Sequence, residues 1–360
     1  MVSYTPESFK PLLNRLVQTP EYFTADDLKI ALNHLFTPDA VSPVQIGAFL
    51  TALHIHRVER RPDSLAAAAA VLRERSLKAL VQEPEGDFIV DIVGTGGDGY
   101  SLFNVSTTAG IVAAGAGARV IKHGSRASTS SSGSADLLQA LGCTFTAPTP
   151  GTTTPIPRVP FTFILAPHYH PALAFIAPYR KALPFRTMFN ILGPLINPAR
   201  PQGMVLGIAE REIGYTFARS LREGGVERAL VVCGYEKLDE ISCAGPTYAW
   251  ELLDGEITEK TLTPALFGLE AHPLTTVAGG SPEENAETFE KLLTSGQDIS
   301  DSLKPVLDFV LMNASALLVV AGLAEDYTHG TKLALESITS GKAWAALQTF
   351  REAGLRLAAS

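Results

Sequence analysis

The chain has 360 residues, 46% of them hydrophobic, and 29 basic against 37 acidic side chains give a formal net charge of −8. That length allows one large domain or two smaller ones, and the apolar fraction is ample for a core. The acidic balance argues against a nucleic-acid-binding or membrane-surface protein, which normally shows a basic face, although local cations can still collect a phosphate.

The N-terminal stretch Met1-Val2-Ser3-Tyr4-Thr5-Pro6 lacks the basic-then-apolar pattern of a signal peptide. Residues 8–85 read as helices only. Thr24 is an N-cap before Ala25-Asp26-Asp27-Leu28, with acidic residues in the first turn. Ser42-Pro43 is a stronger start, an N-cap followed by proline at the first helical position. Val44, Ile46, Phe49, Leu50 and Leu53 then recur at helical spacing, which by itself reads as core packing. Pro62-Asp63-Ser64 begins an alanine-rich helix that runs through Leu72 to Leu80. Residues 82–87 are polar, with Pro and Gly, and mark a linker.

Beyond the linker the pattern changes. Strand candidates at 88–94, 118–123, 161–166, 204–209 and 227–233 alternate with helical runs. The expected class is α/β, a small N-terminal all-helical domain plus a large domain whose mostly parallel central sheet is flanked by helices. Prolines 148, 150, 155, 157 and 160 exclude a helix over 146–160, which reads as a surface loop. Tyr248, Trp250 and Leu252 followed by Asp254-Gly255 predict a hairpin over 247–262. Helices follow at Pro282–Thr294, Leu303–Ala321 and Gly330–Ala358, the last broken. Val306–Leu323 is the longest apolar stretch; Asp308, Asn313 and Ser315 inside it make it a buried helix rather than a membrane span. No internal repeat is evident. Cys143, Cys233 and Cys243, odd in number and without C-x-x-C spacing, point to a reducing compartment and no zinc site.

The chemistry gathers in residues 89–136. Ile89-Val90-Asp91-Ile92-Val93 enters Gly94-Thr95-Gly96-Gly97-Asp98-Gly99, and Asn104-Val105-Ser106-Thr107-Thr108 then opens a helix. Glycines admit positive φ and close approach of a ligand to backbone N–H groups, and the helix start adds partial positive charge. No Gly-Lys-Ser/Thr closes the turn as in a P-loop, and no G-x-G-x-x-G opens the helix directly. A glycine turn alone can serve only the bend; Lys122, the serines 130–132 and a later acidic pair, Asp239-Glu240, make it a phosphate site. Ser132 also suits the N-cap of the next helix. The glycine turn, Lys122, His168–His170 and Asp239-Glu240 all follow apolar strand runs, which places them on one edge of a parallel sheet, where ligands bind. Asp239-Glu240 reads as a solvated acidic turn or as a metal site, since adjacent carboxylates at a strand end are costly without a cation. No residue stands out as a general base.

Gly94–Asp98, Asn104–Thr107, Lys122-His123-Gly124, Gly133–Asp136, Asn190–Pro198 and Leu238-Asp239-Glu240 together resemble the anthranilate phosphoribosyltransferase family, in the family's order, over most of the chain. The resemblance implies a small helical domain at 1–85, joined by helices from about 168–195, and a large donor-binding domain at 86–360. It implies transfer of a phosphoribosyl group from 5-phosphoribosyl 1-diphosphate to anthranilate, in tryptophan biosynthesis in the cytoplasm, with a homodimer formed through the helical domain around Val41–Leu53. It assigns donor binding to Gly94, Thr95, Gly96, Gly97, Asp98, Asn104, Ser106, Thr107, Lys122, Thr129 and Ser130. It assigns Mg2+, two ions, to Ser106, Asp239 and Glu240. Acceptor binding falls to Gly94, His123, Ser125, His170 and Arg180, with Arg186 a second choice for the carboxylate and Pro184-Phe185 and Met188-Phe189 as apolar walls. The chain departs from the family at Ser125, where relatives carry asparagine, and at 146–160, where they show a short helix. Two rival readings stand: a pyrimidine nucleoside phosphorylase of similar architecture, and a non-catalytic relative that binds nucleic acid. The Gly-Thr-Gly-Gly-Asp turn, the Asp-Glu pair and Asn190–Pro198 weigh against the first; the retained turn and acidic pair and the net charge of −8 weigh against the second.

Overall fold

A computed structural model describes residues 4–81, 87–127, 130–148 and 154–359. Most of the expected linker, Thr129, and Pro150 to Thr153 lie outside the described residues.

The chain opens with α1 (Pro6–Gln18), α2 (Ala25–Leu35), α3 (Pro43–Ile55) and α4 (Pro62–Glu74). Thr24 and Ser42 cap α2 and α3 as expected, in capping boxes closed by Asp27 and Gln45. On α3, Ile46, Phe49, Leu50 and Leu53 are buried, whereas Val44 is 82% exposed. The region is not helices only. α4 stops at Glu74 rather than continuing to Leu80, because the chain turns (Ser76 Oγ donates to the Arg73 carbonyl, 2.7 Å) into β1 (Ala79–Val81). β1 pairs in parallel with β4 (Thr154–Ile156). The proline-rich stretch is therefore a surface loop only in part. Pro155 is tolerated because a two-stranded ribbon leaves one side of each strand without a ladder partner.

The main sheet has seven strands in the order β5-β3-β2-β6-β7-β8-β9. β2 (Ile89–Gly94), β3 (Arg119–Gly124), β5 (Phe161–Leu165), β6 (Gly203–Gly207) and β7 (Arg228–Gly234) are parallel. β8 (Thr247–Leu253) and β9 (Glu256–Leu262) add the expected antiparallel hairpin. Asp254 and Gly255 turn it at φ 51° and 79°, the positive pair that a two-residue hairpin favours. Between and beyond the strands lie α5 (Val105–Gly115), α6 (Ser134–Ala140), α7 (Ala166–Tyr169), α8 (Pro171–Ala182), α9 (Gly214–Glu223), α10 (Pro282–Thr294), α11 (Lys304–Val320), α12 (Tyr327–Thr339) and α13 (Lys342–Ala359). The expected break in the last helical stretch falls at Gly341, φ 77°.

Alternation along β7 distributes the core to both faces of the sheet. Leu230 and Val232 join α5 and α11 in one cluster; Val231 and Cys233 join α9, the N-terminal helices and residues 188–196 in another. Each large side chain fully withdrawn from water, such as Phe309 or Phe217, contributes about 1.5–3 kcal/mol. Asp301–Val320 is long and apolar enough to cross a membrane, the one such helix among the described residues, and 72% of its apolar window is buried inside the fold.

One polar latch ties the Asn190–Pro198 segment to the sheet. Asp91 is wholly buried in β2, and burial pushes its carboxyl up to about 6 against the pull of Lys122. The Asn197 amide donates to Asp91 and to the Ile121 carbonyl, both at 2.9 Å, and its own oxygen accepts the Ala199 N–H at 2.9 Å. Removing it leaves buried groups without partners. Asn197→Ala is expected to lower stability by about 2–4 kcal/mol, read as a drop in the urea midpoint. A midpoint equal to that of the wild type would show that the latch does not hold the segment.

Candidate active site

β2 ends at Gly94, and the Thr95 N–H donates to the Gly207 carbonyl at 2.9 Å. Gly96, Gly97 and Gly99 then take φ of 65°, 81° and 84°, which explains the glycines of the turn. Gly94 and Gly207 have another reason. A Cβ on Gly94 would stand 2.2 Å from Asp239 Oδ2, and one on Gly207 would stand 1.6 Å from the Asp239 carbonyl. Two strand ends are thus cleared for one residue, Gly94 for the Asp239 side chain and Gly207 for its backbone, and the Asp239 carboxylate accepts the Gly96 N–H at 2.6 Å.

A cavity of about 340 Å³ opens over this edge. Of the expected donor contacts, Gly94, Thr95, Gly96, Gly97, Asp98, Asn104, Ser106, Lys122 and Ser130 line it, as do Asp239 and Glu240. The first turn of α5 reaches it through Val105 and Ser106, so the amino end of that helix faces any anion bound there. Thr107 does not line it; the residue is buried behind, its hydroxyl without a partner. Thr129 lies outside the described residues. Asn104 acts through its neighbours: its amide donates to the Ser132 carbonyl (2.9 Å), and its oxygen accepts from Ser132 Oγ (3.0 Å) and Asn285 Nδ2 (2.8 Å). Ser132 is therefore drawn to α5 and does not cap α6. The Asp136 carboxylate takes the Gly133 N–H instead, at 3.0 Å.

Charge is concentrated on the cavity floor. Burial, and then the neighbouring Asp98, raise Asp239 to about 7. Burial and Asp239 hold Glu240 well above the usual carboxylate range, while Lys122 and the Ser106 hydroxyl pull it down. Lys122 lies within β3 rather than after it, 1% exposed, and donates to the Ile92 carbonyl. Burial lowers its affinity for a proton, and Asp91, Glu240 and Asp239 restore part of it. Among the described residues no group of three or more His, Cys, Asp or Glu side chains is preassembled round an ion position. The oxygens of Ser106, Asp239 and Glu240 form a hard donor set of the kind that suits Mg2+, with remaining positions open to a ligand or water.

The acceptor residues divide. Gly94, His123 and Ser125 line the cavity; His170 and Arg180 do not. His123 Nδ1 lies 3.2 Å from the Gly193 carbonyl, which fixes the proton there, and its Nε2 is buried without a partner. His170 packs edge-on against it, ring centroids 5.2 Å apart. The Ser125 carbonyl accepts the Ala135 N–H at 3.1 Å, starting α6. Arg180 donates to the Phe189 carbonyl at 3.0 Å. The expected apolar walls are elsewhere: Phe185 stacks on His54 (4.4 Å), and Met188 and Phe189 pack into the core beside the helical region. Asn190, Gly193 and Pro194 wall the cavity in their place. Arg186 also has a place that spacing does not reveal. Its Nη2 donates to the Thr95 carbonyl (3.1 Å), and a Cβ on Gly97 would stand 1.8 Å from its Nη1.

Residues 86–344 match the glycosyl transferase family, a/b domain, and residues 10–76 match that family's helical bundle domain. The chain is 45% identical over 326 residues to the anthranilate phosphoribosyltransferase of Schizosaccharomyces pombe, covering 90% of this chain and 91% of that one. Anthranilate phosphoribosyltransferase from Saccharomyces cerevisiae, solved in complex with PRPP and Mg, superposes with a TM-score of 0.88 at 32% identity over 98% of this chain and 99% of the other. The same yeast enzyme in complex with 4-fluoroanthranilate gives 0.87 at 29% identity, with the same coverage.

Burial above all lowers His123 to about 3 and His170 to about 4. Unfolded histidines take up protons near pH 6.5 and these folded ones do not, so the unfolded state binds more protons between those values. Stability therefore rises with pH through that window and is lost as pH falls below about 6.5. Both imidazoles are expected to stay neutral from about pH 8 to about pH 5, seen as ring-proton NMR shifts that do not move. A midpoint near the free value for either ring would contradict this.

Proposed function

The chain belongs to the anthranilate phosphoribosyltransferases of the glycosyl transferase family, and on that footing we propose how its cavity moves a phosphoribosyl group from 5-phosphoribosyl 1-diphosphate to anthranilate. The products are N-(5-phosphoribosyl)anthranilate and diphosphate. One observation carries the reading: a glycine turn, a helix amino end, a buried lysine and paired carboxylates meet around a single cavity.

Breaking the bond at ribose C1 builds positive charge on the sugar and negative charge on the departing diphosphate. Thr95 and Gly96 spend their N–H groups on the Gly207 carbonyl and the Asp239 carboxylate, so it is the remaining backbone N–H groups of the turn and of the start of α5, held in place by the fold, that stabilise the leaving group. Lys122 adds a fixed cation under the turn. Yeast anthranilate phosphoribosyltransferase was solved in complex with PRPP and Mg, and we assign Mg2+, two ions with the diphosphate donor, to the oxygens of Ser106, Asp239 and Glu240, a hard donor set that suits it. When bound, the metal offsets the charge of the diphosphate. Asp98 and the amide of Asn104 keep the turn and the serine loop in place, with Thr129 and Ser130 as further donor contacts; Thr107, buried behind the cavity, drops out of that set.

The acceptor lies on the His123 side. An aromatic amine is already neutral at physiological pH, so no general base is needed. The bare Nε2 of His123 can accept an N–H of the amine and orient it toward C1. Gly94 and Ser125 border the same space. Arg180 would meet the acceptor carboxylate by releasing the Phe189 carbonyl, with His170 holding the His123 ring. We place the enzyme in tryptophan biosynthesis in the cytoplasm, divided near residue 86, with helices from about 168–195 joining the small domain. It forms a homodimer through the helical region, where Val44 and Ile55 of α3 stand 82% and 67% exposed; a monomer mass by light scattering would remove that assignment.

The test follows loss of anthranilate fluorescence with the diphosphate donor and Mg2+. Wild type turns over. Asp239→Ala combined with Glu240→Ala lowers turnover by about a thousandfold or more. Arg180→Ala raises the KM for anthranilate about tenfold or more, the worth of a charge-assisted hydrogen bond, and leaves the KM for the donor nearly unchanged. Undiminished turnover in the double variant, or phosphate-dependent thymidine cleavage in place of anthranilate loss, would overturn the reading. Equal effects of Arg180→Ala on both constants would remove that residue from the acceptor site.

A further inference from the structure

On the far side of the Gly193–Leu195 turn from the active cavity lies a second cavity of about 330 Å³, between α4 and α9. Pro194 walls both. Two guanidinium groups line the second cavity: Arg73, in the last turn of α4, and Arg200, in the loop before β6. Among the described residues neither lies within ion-pair distance of a carboxylate. Glu74 also lines the cavity, but it is exposed and acts on Arg73 less than Arg200 does.

Arg73 is partly buried, and one Nη1 donates to the Leu195 carbonyl at 2.6 Å. A guanidinium has five N–H donors, so most of its fork remains open to a second acceptor. Arg200 takes φ 50°, a left-handed backbone that arginine rarely adopts. It is held there by its N–H, which donates to the Asn197 carbonyl at 3.1 Å, on the residue latched to Asp91. Had Arg73 been only a strut for the turn, nothing would require a second cation beside it. Two like charges facing one cavity repel unless an anion lies between them, and a strained arginine at the rim is the kind of outlier that marks a binding role.

We propose that this second cavity is an anion site that holds a small tetrahedral oxyanion, phosphate in its chemical class, between Arg73 and Arg200. Two separate forks suit a tetrahedral anion, which presents oxygens in several directions; a single carboxylate is served by one fork alone.

Crystals of the whole protein soaked in selenate, a tetrahedral oxyanion with an anomalous signal, show a peak within hydrogen-bond reach of both guanidinium groups. In calorimetric titration with inorganic phosphate, Arg200→Ala weakens this site about tenfold, as expected for one lost charge-assisted hydrogen bond, and Arg200→Lys recovers part of the loss. Phosphate taken up in the first cavity is unaffected and serves as the internal reference. Arg200 is exposed, so its replacement leaves the core untouched; Arg73→Gln, which keeps a donor for the Leu195 carbonyl, is the second variant and weakens the same site. Absence of the peak in the wild-type crystal, or unchanged phosphate affinity in both alanine and glutamine variants, overturns the site.

Discussion

Burial of the adjacent carboxylates Asp239 and Glu240, with Asp98 beside them, is the constraint around which the active edge is arranged. Burial raises the proton affinity of both Asp239 and Glu240, Asp98 raises both further, and Asp239 adds to the effect on Glu240. Such a group persists only where other parts of the fold hold it. Gly94 and Gly207 give it room, the Gly96 N–H and the Ser106 hydroxyl give it donors, and Lys122 gives it a neighbouring cation. The arrangement is unfavourable in isolation, and the proposed divalent ion would offset it.

The parallel sheet supplies the convergence. Strands β2, β3, β6 and β7 end on one edge, and each leaves a different group there: a glycine turn, a lysine with its histidine, a clearing glycine, and the acidic pair. The helical region then fixes the other wall. Phe185 stacks on His54 and Arg73 donates to the Leu195 carbonyl, which ties residues 185–195 to the helices, while Arg60 pairs with Glu210 beyond β6.

Much of this was legible in the residues. Periodicity gave the helices, the strand alternation and the hairpin, because those patterns arise from burial on one face. Motif spacing gave the glycine turn and the acidic pair, because backbone conformation and charge leave marks on residue type. What stayed hidden depends on pairing across long separations. β1 and β4 are too short to show an alternation, and they exist only because they find each other. Ser132 looks like a helix cap until Asn104, far off in sequence, claims it. Asn197 and Asp91 are ordinary letters until the fold buries them together. Arg186 was a spare candidate for a carboxylate; the fold shows it pressed against the glycine turn.

That last contact has a consequence for how the sequence can drift. A methyl at 97 would meet the flexible end of the Arg186 side chain, which can move aside, so the φ of 81° is what holds glycine there. A larger residue at 97 must first evict the arginine, and a shorter residue at 186 leaves a gap beside a backbone that only glycine traces comfortably. A change at 97 thus carries two penalties, the backbone's and the displaced guanidinium's, whereas a change at 186 carries only the lost contact, so the two positions, remote along the chain, tolerate drift unequally.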